Sequence, residues 1–229
     1  MVHPTMARVR NAAPLWNDPA ALEAARVAQI RNEASVFTID PEEIFARPAP
    51  LEVEIGAGRG DFVTERAARH PERNFLAVER PGTIGQLLAV RCGRTGLCNL
   101  KVARMDARTL VNLMLPDRSV DTFHIYYPDP WPKGRQAKHR LFAPSFSEGL
   151  ARTLAPGGVV YVATDVPWWA DEMFEQLEAI GFRQTVAEAP GATMTGFARK
   201  YIAQGKRLFS GGFELVRRGA SFCPADTSC

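Results

Sequence analysis

The sequence predicts a doubly wound α/β fold: a mostly parallel sheet between helices, closed by an antiparallel C-terminal strand. Three observations predict it. Short apolar, β-prone runs alternate with helical stretches through the middle of the 229-residue chain, the pattern of a parallel sheet covered on both faces. The first run leads directly into a glycine-rich turn, Glu54-Ile55-Gly56-Ala57-Gly58-Arg59-Gly60-Asp61-Phe62, at the strand end where such sheets bind ligands. Beyond Gly181 the alternation gives way to two strand-like runs with no room for a helix of ordinary length between them.

In chain order, residues 1–19 are polar and punctuated by proline, and are expected to be a flexible segment. Ala20–Asn32 is alanine-rich with spaced apolar positions and reads as a helix carrying Arg26 and Arg31. The expected parallel strands are Leu51–Ile55, Phe75–Val78, Leu100–Met105, Val120–Tyr126 and Val159–Thr164. Helices are expected at Asp61–Arg69, Pro81–Arg94, Ser145–Leu154 and Pro167–Ile180. Right-handed crossovers between such units give the doubly wound arrangement. Phe182–Glu188 and Phe213–Arg217 form the expected antiparallel pair. The small, polar residues 219–229 form a tail expected to fray. With no internal repeat and no long linker, residues 20–218 read as a single domain of ordinary size.

Composition narrows the class. A hydrophobic share of 46% and a charged share of 23% are those of a soluble globular chain. No apolar run approaches the roughly 20 residues that span a bilayer, and residues 1–17 lack the features of a signal peptide; the cytoplasm is the expected location. The four cysteines, Cys92, Cys98, Cys223 and Cys229, show neither metal-site spacing nor a disulfide framework, so no metal is expected. A net charge of +3 says little about partners. Where the charge gathers says more.

Chemistry concentrates in two places. Gly56, Gly58 and Gly60 permit unusual backbone angles and close approach of a ligand. The dinucleotide fingerprint asks for a further glycine where this chain has Asp61, so NAD is a poor match. Acids then recur along the strand ends. Glu54 lies inside the first strand, where an ionised side chain needs a partner. Glu79 follows the second strand and suits ribose hydroxyls, and Asp106 follows the third, beside an adenine edge. Acids at successive strand ends suit S-adenosylmethionine, which carries an ammonium and a sulfonium but no phosphate. The second place is Tyr126-Tyr127-Pro128-Asp129-Pro130-Trp131-Pro132-Lys133 with Arg135, Lys138, His139 and Arg140 close behind. Prolines stiffen the backbone around Asp129, and the cations can take up a polyanion such as RNA. Arg199, Lys200, Lys206 and Arg207 either extend that surface or are ordinary exposed charge. His124, on a buried strand, reads as a satisfied core residue, and Trp168 and Trp169 as packing residues.

Together these strings resemble the bacterial tRNA (guanine(46)-N7)-methyltransferases, a branch of the class I methyltransferases. The resemblance covers roughly Leu51 to Glu214. It rests on Glu54 through Gly60, Glu79, Asp106, Pro128-Asp129-Pro130-Trp131-Pro132-Lys133, Thr164-Asp165 and Thr195-Gly196-Phe197. It implies a Rossmann-like, seven-stranded sheet, S-adenosyl-L-methionine as methyl donor and tRNA as acceptor, in a monomer or weak homodimer. By position it implies Glu54, Gly56, Gly58, Glu79, Asp106 and Asp129 as cofactor-binding residues, with Asp129 also catalytic. Lys133, Asp165, Thr195, Gly196, Phe197 and Ala198 would bind the substrate, and Arg135, Lys138, His139 and Arg140 would contact RNA. The chain departs from the family where Ala198 replaces the usual glutamate and where Gly134 and Gln136 replace more basic residues.

Guanine N7 has a lone pair and no proton, so its methylation needs alignment rather than a general base. A fixed carboxylate beside the purine favours the charge arriving on it; Asp129 is expected to supply it. Asp165 is expected to accept from the guanine N1 and exocyclic amine, with Thr195 and Phe197 closing the pocket. Two alternatives stay open at this level: a methyltransferase of the same fold acting on a small molecule or protein, and an RNA-binding relative that has lost catalysis.

Overall fold

The computed structural model describes residues 19–29, 38–132 and 134–216. Residues 1–18 and 219–229 of the expected flexible ends, Lys133, Arg31 and the side chains of Arg26 and Arg135 lie outside the described residues.

The sheet has seven strands in the order β3-β2-β1-β4-β5-β7-β6. They are β1 (Leu51–Ile55), β2 (Asn74–Glu79), β3 (Leu100–Arg104), β4 (Val120–Tyr126), β5 (Leu154–Thr164), β6 (Phe182–Val186) and β7 (Phe209–Leu215). β1 to β5 pair in parallel, whereas β7 runs antiparallel to both β5 and β6. Among the described residues the helices are α1 (Pro19–Ala28), α2 (Pro41–Phe45), α3 (Asp61–Arg69), α4 (Thr83–Thr95), α5 (Ala107–Thr109, running into a π-turn at Leu110–Met114), α6 (Pro144–Thr153), α7 (Pro167–Ala179) and α8 (Gly196–Ala203), with a 3₁₀ segment at Gly134–His139.

Alternation along the strands divides the core into two layers. Val53, Ile55, Phe123, Ile125, Val160 and Val162 join Phe146, Leu150, Trp169 and Met173 of α6 and α7 on one side. On the other, Phe75, Ala77 and Val102 meet Val63, Ala67, Leu88 and Ala89 of α3 and α4. The same alternation turns Glu52 and Glu54 of β1, and His124 and Tyr126 of β4, away from the first layer. In the parallel register Glu54 lies opposite His124. The sheet thus carries a polar strip beneath α3, with Phe62 edge-on to His124 and Tyr126.

Four expectations change. The last strand, read as starting at Phe213, starts at Phe209 and ends at Leu215. β5 starts at Leu154 rather than Val159, because Ala155-Pro156-Gly157-Gly158 forms a bulge, with Gly157 at φ 76°, between the pairing of Leu154 with Val120 and that of Val159 with Thr122. The stretch between the last two strands, read as too short for an ordinary helix, holds the eight-residue α8, started by the Thr195 hydroxyl accepting from the Ala198 amide at 3.0 Å. The short α2 was not anticipated; the Asp40 side chain caps it. β1, α3 and β4 have the expected bounds.

Candidate active site

The glycine-rich turn joins β1 to α3 at the carboxyl edge of the sheet. Gly56, Gly58 and Gly60 have φ of 73°, 57° and 77°, the left-handed region that glycine enters freely. At Gly60 space is also decisive: a Cβ there would sit 2.7 Å from Leu88 Cδ1. The amides of Gly56 and Ala57 both donate to the Val78 carbonyl, fastening the turn to the end of β2.

Glu79 completes that attachment. One carboxylate oxygen accepts from the Gly58 amide at 2.8 Å and the other from the Arg80 amide at 2.9 Å. Each oxygen keeps a lone pair for a ligand hydroxyl. Burial raises the Glu79 pKa against the effect of these two bonds, and the Asp129 charge adds to the rise. Glu54 is more exposed to strain of this kind. It is buried, its Oε2 has no hydrogen-bond partner, and its pKa is raised well above the ordinary value by burial and then by Glu79 and Asp61. A buried carboxylate oxygen without a donor marks a place for a cationic or donor group. The acidic trio excludes a phosphate and fits the ammonium of S-adenosylmethionine. Asp106 is half-exposed and caps α5 through the Arg108 amide at 2.9 Å, with Arg108 and Arg80 at 3.4 and 3.8 Å; burial opposes but these cations and the amide hold its pKa below the usual range. Its carboxylate is therefore already engaged within the protein.

The acid loop leaves β4 on the same edge. Asp129 is exposed, yet its charge reaches both Glu79 and Tyr201 and raises their pKa values, each after the larger effect of burial. The loop therefore lies within electrostatic reach of the glycine-rich turn through Glu79 and of α8 through Tyr201. Asp165, at the end of β5, is paired through Oδ2 with Lys206 at 2.7 Å, and Lys206 lies 3.9 Å from the centre of the Tyr201 ring. Phe197 is 53% exposed on α8, open to a planar ligand. Ala198 is the exception among the expected substrate residues: its side chain is fully buried, so it packs α8 down rather than facing the cleft. Gly196 lies against Asp61, whose oxygen is 3.0 Å from where a Cβ would be.

Of the expected RNA contacts, Lys138 and His139 are exposed on the 3₁₀ segment. Arg140 is placed differently: its side chain is 19% exposed and ion-paired with Glu172. Arg199 pairs with Asp61 at 3.7 Å, and Arg207 stacks over Phe209. Among the described residues no cluster of metal-binding side chains occurs, and no helix is long and apolar enough to cross a membrane.

The profile of a family described as "Putative methyltransferase" matches residues 48–210. The tRNA (guanine-N(7)-)-methyltransferase of Halorhodospira halophila is 40% identical over 179 residues, covering 74% of this chain and 77% of that protein. The chain belongs to the tRNA (guanine-N7)-methyltransferase family. A relative of the same name from Psychromonas ingrahamii is 41% identical over 181 residues, 78% of this chain and 74% of its own. Solved structures share the fold. The antibiotic-resistance methyltransferase Kmr aligns with a TM-score of 0.54 at 21% identity, over 82% of this chain and 97% of its own. A SAM-dependent methyltransferase from Aquifex aeolicus gives 0.53 at 15% identity, over 86% and 98%.

In this member of the tRNA (guanine-N7)-methyltransferase family, sequence reasoning missed the side chains that hold the site together. The Tyr126 hydroxyl accepts from the Gly191 amide at 3.1 Å, and the Tyr127 hydroxyl donates to the Ala192 carbonyl. Tyr126 also meets His124 Nδ1 at 2.8 Å, and His124 Nε2 meets Glu52 at 2.8 Å. Arg66 and Arg73 close the network on Glu52. Burial lowers the His124 pKa despite Glu52. The ring is therefore neutral at neutral pH, donating from Nε2 to Glu52 and accepting the Tyr126 proton on Nδ1. His124 is a satisfied core residue, as its sequence position suggested. Arg91 meets both the Arg59 carbonyl and Asp61, which ties the glycine turn to the start of α8 through Asp61.

Proposed function

We propose that the protein transfers a methyl group from S-adenosylmethionine to N7 of a guanine in tRNA, at position 46 in the variable loop. The observation that carries this reading is the placement of Asp129. An exposed carboxylate, between two carbonyls fixed by Trp169 and Arg140, follows β4 at the carboxyl edge of the sheet, within electrostatic reach of Glu79 and Tyr201. The family relationship supplies the donor and acceptor classes.

When bound, S-adenosylmethionine supplies an electrophilic methyl on a sulfonium; the protein supplies alignment and charge. Glu54 would take the ammonium on its orphaned oxygen, Glu79 the ribose hydroxyls, and the turn at Gly56–Gly58 the close backbone approach. Asp129 would offset the positive charge arriving on the purine, without taking a proton from N7. Asp165 keeps Oδ1 for the guanine edge while Lys206 holds Oδ2. Phe197 would cover the base, and Lys138 and His139, with Lys133 and Arg135, would meet phosphates. Such contacts weaken steeply with salt.

The deciding experiment incubates the protein with methyl-labelled S-adenosylmethionine and unmodified tRNA transcripts, then maps the labelled nucleotide by cleavage at 7-methylguanosine. Label at a single variable-loop guanine is expected. Label elsewhere in tRNA refutes the position, and label absent from tRNA refutes the substrate.

A further inference from the structure

The acid loop is held from behind by side chains that the proposed chemistry never touches. Arg140 Nε donates to the Pro130 carbonyl at 3.1 Å and to the Trp131 carbonyl at 3.3 Å. Its Nη1 meets both oxygens of Glu172 at 2.8 Å. The guanidinium carbon lies 5.1 Å from the Trp168 ring centre and 5.4 Å from that of Trp169, within cation–π range. The Trp169 indole, fully buried, donates to the Pro128 carbonyl at 3.1 Å. The carbonyls on both sides of Asp129 are thus fixed by two side chains packed on one another.

The backbone itself needs such holding. Tyr127 and Trp131 have φ of 54° and 41°, left-handed values that bulky residues avoid. Conformations of this kind persist only where the surroundings over-determine them. Glu172 and the two indoles fix the guanidinium, and its planar fork then reaches carbonyls that an ammonium on a flexible stem would not hold in the same way. Lys138 and His139, by contrast, are exposed, and His139 touches the loop only through its ring, 5.6 Å from that of Trp131.

We propose that Arg140 is a positioning residue for Asp129, oriented by Glu172 and the Trp168–Trp169 pair, and is not a phosphate contact. The inference rests on the methyl-transfer reading and deepens it. Positional errors near 1 Å can cost about 100-fold in rate, so losing the fork acts on turnover. A lost phosphate contact acts on tRNA affinity and lowers its salt slope by about one.

The test compares wild-type, Arg140→Lys and Glu172→Gln proteins by single-turnover methylation of saturating tRNA and by tRNA binding across a salt series. Asp129→Asn and the Asp129→Asn/Arg140→Lys double variant complete the set. We expect the turnover rate to fall roughly 10- to 100-fold in Arg140→Lys and less in Glu172→Gln. The tRNA dissociation constant and its salt slope stay within about twofold of wild type. Because Arg140 acts through Asp129, adding Arg140→Lys to Asp129→Asn changes the rate by less than about threefold, the non-additivity of a shared function. Unchanged turnover in both single variants overturns the proposal. So does weakened binding with a reduced salt slope, or a full Arg140→Lys loss on the Asp129→Asn background. If Arg140→Lys melts before assay, Glu172→Gln carries the comparison, since it keeps the shape of the brace. Wild-type protein that methylates no tRNA refutes the methyl-transfer reading itself, and that control fails before any variant is compared.

Discussion

Gly191 lies against the face of Tyr126: its amide donates to the Tyr126 hydroxyl at 3.1 Å, and a Cβ at residue 191 would overlap the ring. The contact ties the end of β4, where the acid loop begins, to the segment that leads into Thr195 and α8. Tyr127 repeats the attachment one residue on, through the Ala192 carbonyl. Two consecutive tyrosines therefore hold the two walls of the cleft in register, with Ala189 and Ala192 packed among Phe62, Tyr126 and Ala163.

Gly191→Ala should consequently act on stability and on the site together. Overpacking of a close contact costs about 1–3 kcal/mol, and each kcal/mol lowers Tm by about 2–4 °C in a chain of this size. A calorimetric melt of Gly191→Ala is expected several degrees below wild type, with reduced methyl transfer. Gly134→Ala, where a Cβ meets nothing within 4 Å, is expected to melt within about 1 °C of wild type. A normal melt for Gly191→Ala would remove the contact from the account of the cleft.

The network under α3 makes stability fall on the acid side. Burial alone would raise the Glu52 pKa, but hydrogen bonds from His124 and Arg66 and the Arg66 charge hold it at about 2, below an ordinary 4.5. A depressed carboxylate pKa contributes stability above the unfolded value, about 4.5, which is lost as pH falls toward 2. The shift corresponds to about 3 kcal/mol. His124, kept neutral by burial, acts in the same direction from higher pH. The unfolded chain takes up a proton below about pH 6.5 that the folded ring resists. Urea midpoints are therefore expected to decline from pH 7 to 5.5 and more steeply below 4.5. In Glu52→Gln the curve starts about 2–4 kcal/mol lower, because Arg66 and Arg73 lose their buried partner, and the steep segment below pH 4.5 flattens. An unchanged midpoint at pH 7 would show the network to be dispensable.

With the cofactor ammonium on Glu54, as proposed, binding is linked to pH. Its raised pKa favours the protonated acid in the free protein, whereas an ammonium at Oε2 favours the carboxylate. Binding should release a proton, and affinity for S-adenosylmethionine should strengthen as pH rises from 5.5 to 7. Calorimetry in two buffers of different ionisation heat reads the released proton directly. Glu54→Gln is expected to weaken binding by about 10- to 100-fold, the worth of one charge-assisted hydrogen bond, and to abolish the pH dependence. Tight, pH-independent binding by Glu54→Gln would place the ammonium elsewhere.

The outline of this fold was legible because it is written in local signals. Apolar runs set β1 and β4, and Asp61 through Arg69 set α3, with the bounds observed. The positions of the glycines, of Glu54 within β1 and of Glu79 at the end of β2 were legible for the same reason: local spacing alone places them. What spacing could not show were contacts across the sequence. Gly191 to Tyr126 spans 65 residues, Trp169 to Pro128 spans 41 and Arg140 to Glu172 spans 32. Arg140 shows the consequence. It stands next to Lys138 and His139 in the sequence and shares the charge of Lys138, but tertiary packing turns it inward. Ala198 misled in a similar way: it follows Phe197 in the chain, yet the turn of α8 buries one and exposes the other.

Asp129→Asn separates electrostatics from packing at the centre of the proposed reaction. The side chain is exposed and its loop is held through backbone carbonyls, so an amide of the same shape should leave the fold and the Tm in place. The carboxylate charge is what disappears. Removing a preorganised electrostatic contact of this type costs about 100- to 1,000-fold in turnover, and that loss is expected in single-turnover methylation, with tRNA affinity unchanged. Removing the charge also relieves Glu79, whose pKa Asp129 helps to raise. Glu79 is then more readily ionised, and S-adenosylmethionine affinity should hold or tighten slightly even as turnover collapses. Weakened cofactor binding together with near-normal turnover would assign Asp129 to the cofactor and leave the purine charge to another group.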